Sequence, residues 1–104
     1  MQNSITIAID ESYSLLGSRV IGEQLRIRIV DALNNAGIVI VDLKNVQKVT
    51  SSFADEVFGR LALEMGPDQF RSRIVMQHVS AEIIPVVRFV VANRLTQFAQ
   101  KAVA

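Results

Sequence analysis

The run Ile38-Val39-Ile40-Val41 limits the fold of this chain more than any other feature. Four β-branched side chains in succession lose rotamer freedom in a helix and pack well on a pleated surface. A strand with one wet face would carry a polar residue at every second position, and this run carries none. It therefore reads as a central strand covered on both faces, the usual condition of a parallel sheet. Asp42 stands at its carboxyl end.

Helical spacing precedes the run. Ser18 offers an N-cap, and Ile21, Leu25, Ile29 and Leu33 follow at intervals of four, up to a stop at Asn34-Asn35-Ala36-Gly37. Leu25-Arg26-Ile27-Arg28-Ile29 also alternates like a strand, but the helical pattern persists for four turns. Residues 4–10 place Ile5, Ile7 and Ile9 at a period of two and read as a half-buried strand, with residues 11–17 as connector.

Beyond Asp42, Lys44-Asn45 reads as a turn and residues 46–49 as a short strand or extended segment. Thr50-Ser51-Ser52 opens a second helix, with Phe53, Val57, Leu61 and Met65 on one side. Ser52 and Asp55 have capping-box spacing, and Gly66-Pro67 ends the helix. Residues 68–72 are a connector and 73–79 a strand. Ser80 starts a last helix whose regular part begins at Ile84 or Pro85, with Ile83, Val87, Val91, Leu95 and Phe98 on one side. Strands and helices alternate throughout. The expectation is one α/β domain over residues 1–104, with largely parallel pairing.

Composition narrows the function classes. The 104 residues are half hydrophobic and contain no Cys and a single His, His78, which removes thiol chemistry, Cys-based zinc sites and a His pair for a metal. A formal net charge of +1 argues against a dedicated nucleic-acid binder. Met1-Gln2-Asn3-Ser4 lacks the start of a secretory signal. The apolar tract at residues 83–91 contains Pro85 and Arg88 and falls short of the roughly 20 residues of a bilayer span. The expectation is a cytoplasmic chain with no membrane segment, no cofactor and no catalytic equipment.

The informative segment is Asp42-Leu43-Lys44-Asn45-Val46-Gln47-Lys48-Val49-Thr50-Ser51-Ser52. It brings three hydroxyls to a helix N-terminus, where unpaired N–H groups favour a negative charge. Two readings stay open: Ser51 or Ser52 merely caps the helix, or a serine there carries a phosphate shown to a partner. The segment resembles the STAS domain of bacterial anti-sigma factor antagonists. More closely, Val49-Thr50-Ser51-Ser52-Phe53-Ala54-Asp55-Glu56-Val57-Phe58-Gly59 resembles a STAS-like family of unknown function. Gly17-Ser18-Arg19 and Asn93-Arg94 are weaker features of the same group.

The resemblance implies a small STAS-like α/β domain, a mixed sheet of about four strands with helices packed on it. It also implies a non-enzymatic regulatory interaction module in bacterial signalling, whose partner is an ATP-binding anti-sigma or histidine-kinase-type ATPase protein. Ser52 corresponds to the phosphorylated serine of the antagonists. Thr50, Ser51, Asp55 and Glu56 would complete the partner-binding surface. Thr50 stands where the antagonists have an acidic residue, and Phe53, Ala54 and Asp55 replace a small-residue turn. Asp55 and Glu56 would repel a phosphate on Ser52. The alternative is a structural or homodimer-forming module in which Ser52 is only a cap and Ile84, Phe89 and Val90 pack against a second copy.

The remaining candidates read as structural. Asp55 and Glu56 are adjacent on a helix and do not face one another, so they form no acid–base pair. Asp42 orients the Lys44-Asn45 turn, and His78 lacks a partner at motif spacing. Gly17 and Gly22 have no phosphate-loop spacing. Arg19, Arg26, Arg28, Arg71, Arg73, Arg88 and Arg94, amid ten acidic residues, read as a solvated surface.

Overall fold

A computed structural model describes residues 3–9 and 17–103; Asp10 and the first part of the expected connector lie outside the described residues. The order is β1 (Ser4–Ala8), α1 (Arg19–Leu33), β2 (Ile38–Asp42), α2 (Ser51–Ala54), a π turn (Asp55–Gly59), α3 (Arg60–Arg73), β3 (Ile74–Gln77) and α4 (Ile83–Val103). The α/β class holds, but among the described residues the sheet has three strands, in the order β1-β2-β3, and every pairing is parallel. The expected mixed sheet of about four strands is thereby corrected. Residues 46–49 form no strand of the sheet. Val46 is buried and returns its N–H to the Leu43 carbonyl, which turns the chain off the ladder.

Strand order also decides which faces are covered. Sequential strands joined by right-handed crossovers in one direction place both crossover helices on the same face. Ile7, Val39, Val41 and Ile74 point to that face and are buried beneath the helices. The row Thr6, Ile40, Val75 points the other way, with Ile40 half-buried and its neighbours exposed. The described helices leave this face open, so β2 is not the doubly covered strand that its composition suggested.

The α1 reading holds. Ser18 Oγ accepts from the Ile21 N–H at 3.2 Å, and Leu25, Ile29 and Ala32 are buried. Its end is held by a residue far along the chain. Arg73 donates from Nη2 to the carbonyls of Leu33 (2.7 Å) and Ala36 (2.9 Å), and from Nε to Gly37 (3.0 Å). These carbonyls lie at or just past a helix C-terminus, where a cation is favoured. Arg73 is therefore a cap, and not part of a solvated basic face. Asn3 secures the same junction, its Oδ1 accepting from the Gly37 N–H at 3.1 Å.

Gly66-Pro67 interrupts the helix as expected, but helical structure and not a connector follows it. Gly66 adopts φ 82°, ψ 167°, and Pro67 then opens a further stretch that runs through residues 68–72 to Arg73. Pro tolerates a first helical turn because its missing N–H would have had no partner there. A Cβ at Gly66 would stand 2.7 Å from the Phe98 ring, so close approach of α4 and backbone conformation both require glycine. The helix then reaches β3, which begins at Ile74, one residue later than expected.

The last helix begins at Ile83, where the Ile83 and Ile84 N–H groups donate to the Ser80 carbonyl. Ile83, Val87 and Val90 enter the core with Phe53, Val57, Phe58 and Leu61. Burying one side chain of this size contributes about 1.5–3 kcal/mol. No described helix is long and apolar enough to cross a membrane. Arg73→Met keeps the aliphatic stem and removes three charge-assisted hydrogen bonds; urea unfolding should show a loss of about 2–3 kcal/mol. A loss below about 0.5 kcal/mol would mean that water replaces the guanidinium without cost.

Candidate functional site

Residues 46–49 bring Thr50 to the helix start in a capping conformation, φ −79° and ψ 158°. Its Oγ1 accepts from the Phe53 N–H at 3.1 Å, and its carbonyl accepts from Ala54 at 3.0 Å. Thr50 is therefore the cap, correcting the reading that gave this role to Ser51 or Ser52. The Ser52–Asp55 capping box does not form. Ser51 is exposed and Ser52 half-buried, and among the described residues neither hydroxyl has a hydrogen-bond partner.

The π turn presents the two adjacent carboxylates to different helices. Side chains one residue apart project about 100° from each other. Asp55 meets Arg94 of α4 in a forked pair, Nε to Oδ1 at 2.9 Å and Nη2 to Oδ2 at 2.7 Å. Glu56 turns to α1, where Arg26 Nη2 reaches Oε2 at 3.1 Å, and Arg60 stands 3.8 Å from the same oxygen. Arg19 Nη1 bridges the two carboxylates, at 3.1 Å from Asp55 Oδ2 and 3.4 Å from Glu56 Oε1. Glu56 is only 5% exposed, so it is an internal ion and presents nothing to a partner. Gly59 makes the room: a Cβ there would lie 2.3 Å from Asp55 Oδ1.

The electrostatic consequence follows from geometry. Hydrogen bonding from Arg94, supported by Arg19, holds the Asp55 carboxyl below its ordinary value of 3.8 despite partial burial, and the same bond raises Arg94. The solvated-surface reading thus fails for Arg26 and Arg94 as it did for Arg73. Both carboxylates that were expected to repel a phosphate on Ser52 are thus paired with guanidinium groups.

Between α2 and α4 lies an open groove of about 310 Å³, lined among others by Ser51, Ser52, Arg19, Arg94, Asn93 and Phe89. Phe89 is 64% exposed on its wall. Val90 is 4% exposed and belongs to the core, so a face for a second copy would retain Ile84 and Phe89 without it.

Elsewhere, Asp42 Oδ1 accepts from the Lys44 N–H at 2.9 Å and so holds the turn as expected. His78 Nδ1 lies 3.0 Å from the same oxygen, with His78 at φ 56°. Its hydrogen bond is the main cause lowering the Asp42 carboxyl. Among the described residues no three His, Asp or Glu side chains converge as a metal ion requires.

Comparison with protein-family models matches residues 22–83 to the STAS-like domain of unknown function (DUF4325). The chain belongs to this family. No curated protein and no solved structure matches it. The matched part of this STAS-like domain includes the hydroxyl cluster, the π turn, Arg26 and Arg60, whereas Arg19 and Arg94 lie outside it.

The ion cluster of the STAS-like domain had a partial signal in the sequence. Arg19 and Arg26 are seven apart and share a helix face, and Glu56 and Arg60 are four apart. Nothing in the sequence pointed Arg94 at Asp55 or announced a π turn.

Two outcomes test the cluster. Glu56→Gln leaves Arg26 without its counter-ion and should lower urea-measured stability by about 3–5 kcal/mol. The second concerns acid. Because the folded Asp55 carboxyl titrates below its unfolded value, its contribution is complete above 3.8 and disappears as pH falls through the lower folded value. Asp55→Asn should flatten stability against pH between about 5 and 2. An unchanged slope would show that Asp55 does not gain from Arg94.

Proposed function

We propose that this STAS-like domain is a non-enzymatic regulatory interaction module in bacterial signalling, resembling an anti-sigma factor antagonist. Its working surface is the Ser51–Ser52 end of α2 with the adjoining groove, and phosphorylation of Ser52 is its switch. The partner is an ATP-binding anti-sigma or histidine-kinase-type ATPase protein.

One observation carries the reading: the helix start is capped by Thr50, which leaves the Ser51 and Ser52 hydroxyls unengaged among the described residues. Both open onto a groove that also exposes Arg19 and Phe89. An aromatic side chain beside a cation is a common combination in contact surfaces. In the transfer, the Ser52 hydroxyl oxygen would form a bond to the γ-phosphorus of ATP. The bond from that phosphorus to the β-phosphate oxygen breaks, ADP leaves, and the hydroxyl proton passes to solvent or to a base of the partner. Arg19 and Arg94 then offset the new charge, and the added bulk and charge change what the groove accepts.

The test incubates the chain with an ATP-binding anti-sigma or histidine-kinase-type ATPase from the same genome and ATP, followed by phosphate mapping by mass spectrometry. Phosphate should appear on Ser52 and be absent from Ser52→Ala. In pull-down or calorimetry, Ser52→Ala should bind the partner like the parent and Ser52→Asp about tenfold or more weakly. Absence of phosphate together with equal binding by both variants would overturn the switch.

A further inference from the structure

The cluster around the π turn is not balanced in charge. Arg19, Arg26, Arg60 and Arg94 bring four positive charges, and Asp55 and Glu56 bring two negative ones, leaving two positive charges over. Acceptors are short as well. Arg26 Nε is buried and has no hydrogen-bond partner among the described residues. Arg19 divides Nη1 between two carboxylates, and among the described residues its Nε and Nη2 have no acceptor.

Part of the surplus reaches the groove between α2 and α4, where Arg19 and Arg94 against Asp55 leave one net positive charge, Arg26 and Arg60 lying outside its lining. Arg19, whose side chain is 53% exposed, faces it together with Arg94 and the two serines. Arg94 is already engaged at every nitrogen, by Asp55 and by Gln97 Oε1 at 3.2 Å, so it contributes charge more than hydrogen bonds. Arg19 and the serine hydroxyls have donors to give. A ligand that suits this groove is an anion with several acceptor oxygens on a compact centre, enough to meet Arg19 and both hydroxyls at once. A carboxylate supplies one charge in a plane, whereas a phosphoryl group supplies close to two and spreads its oxygens over a tetrahedron.

We propose that the groove is a phosphoryl-dianion site, with Arg19 as the principal ligand, the Ser51 and Ser52 hydroxyls as further donors and Arg94 as fixed background charge. The dianion has two sources with the same chemistry: inorganic phosphate from solution, or a phosphate carried by Ser52 itself. The second source rests on the function proposed above and the first does not.

The experiment uses the full, unmodified chain. Sodium phosphate is titrated against sodium chloride at matched ionic strength, followed by amide chemical shifts and the thermal midpoint. Phosphate should give saturable shifts centred on Arg19, Ser51 and Ser52 and raise the midpoint, with chloride doing neither. Arg19→Gln should weaken phosphate binding about tenfold, and Arg19→Lys by less, since the charge remains and the fork is lost. Arg19 is largely exposed, so thermal midpoints without phosphate should stay close to the parent's and exclude misfolding.

A second arm uses the chain with phosphoserine installed at position 52, which should no longer respond to added phosphate because its own dianion fills the groove. Continued binding there would overturn Ser52 as a source. A response to phosphate no greater than to chloride, or equal affinity in Arg19→Gln, would overturn the site itself. Failure of an ATPase to phosphorylate Ser52 would leave the inorganic-phosphate result standing, so the two readings fail separately.

Discussion

Two neighbouring carboxylates on one widened helical turn hold three helices together. Asp55 ties the π turn to α4 through Arg94, and Glu56 ties it to α1 through Arg26. A carboxylate as enclosed as Glu56 would be costly alone, and removing its counter-ion would cost more than the pair contributes. Such a pair is weak evidence for net stability and stronger evidence for arrangement, because only one packing of the helices satisfies it. The π turn is part of that arrangement. A regular turn would rotate the two carboxylates relative to α1 and α4, and a side chain at Gly59 would occupy the space of the Asp55 carboxylate.

The same cluster shapes the groove. Arg19 and Arg94 lie there because Asp55 draws them in, and Ser51 and Ser52 lie there because Thr50 has already taken the capping position. A surface that might have been a row of solvated side chains is thus an ordered pair of guanidiniums facing two hydroxyls. The carboxylate of Asp55, expected to repel a phosphate on Ser52, is also what holds these two cations at the groove.

The sequence made the local elements legible and the long-range ones much less so. β1 and α1 follow from period-two and period-four spacing and β2 from an unbroken β-branched run, all written into neighbouring residues. In α4 the structure trims the result, since Val90 and not only Val91 faces the core. The one-sided sheet follows from strand order, a non-local property that the run at residues 38–41 does not encode. Gly66-Pro67 carried the composition of a helix stop, but the chain resumed a helix after it, because a proline that ends one helix is equally suited to start the next. The hydroxyl cluster at the helix start was visible, whereas its cap was misplaced by one or two residues. The arginine cluster joins residues 30 to 39 positions apart. No spacing rule of a single helix reaches that far.

Arg73 has a consequence for how the sheet finds its alignment. Along β2, Ile38, Val39, Ile40 and Val41 are nearly interchangeable, so sliding the strand by two positions would keep apolar groups on both faces. The ladder by itself thus discriminates poorly between the native pairing and its nearest competitor. The discrimination comes from the polar end of the strand, where Asn3 before β1 and Arg73 before β3 both grip the backbone at Gly37. A two-residue slip of β2 would carry Gly37 about 7 Å away from both. One arginine and one asparagine act as the alignment mark of an otherwise slippery strand.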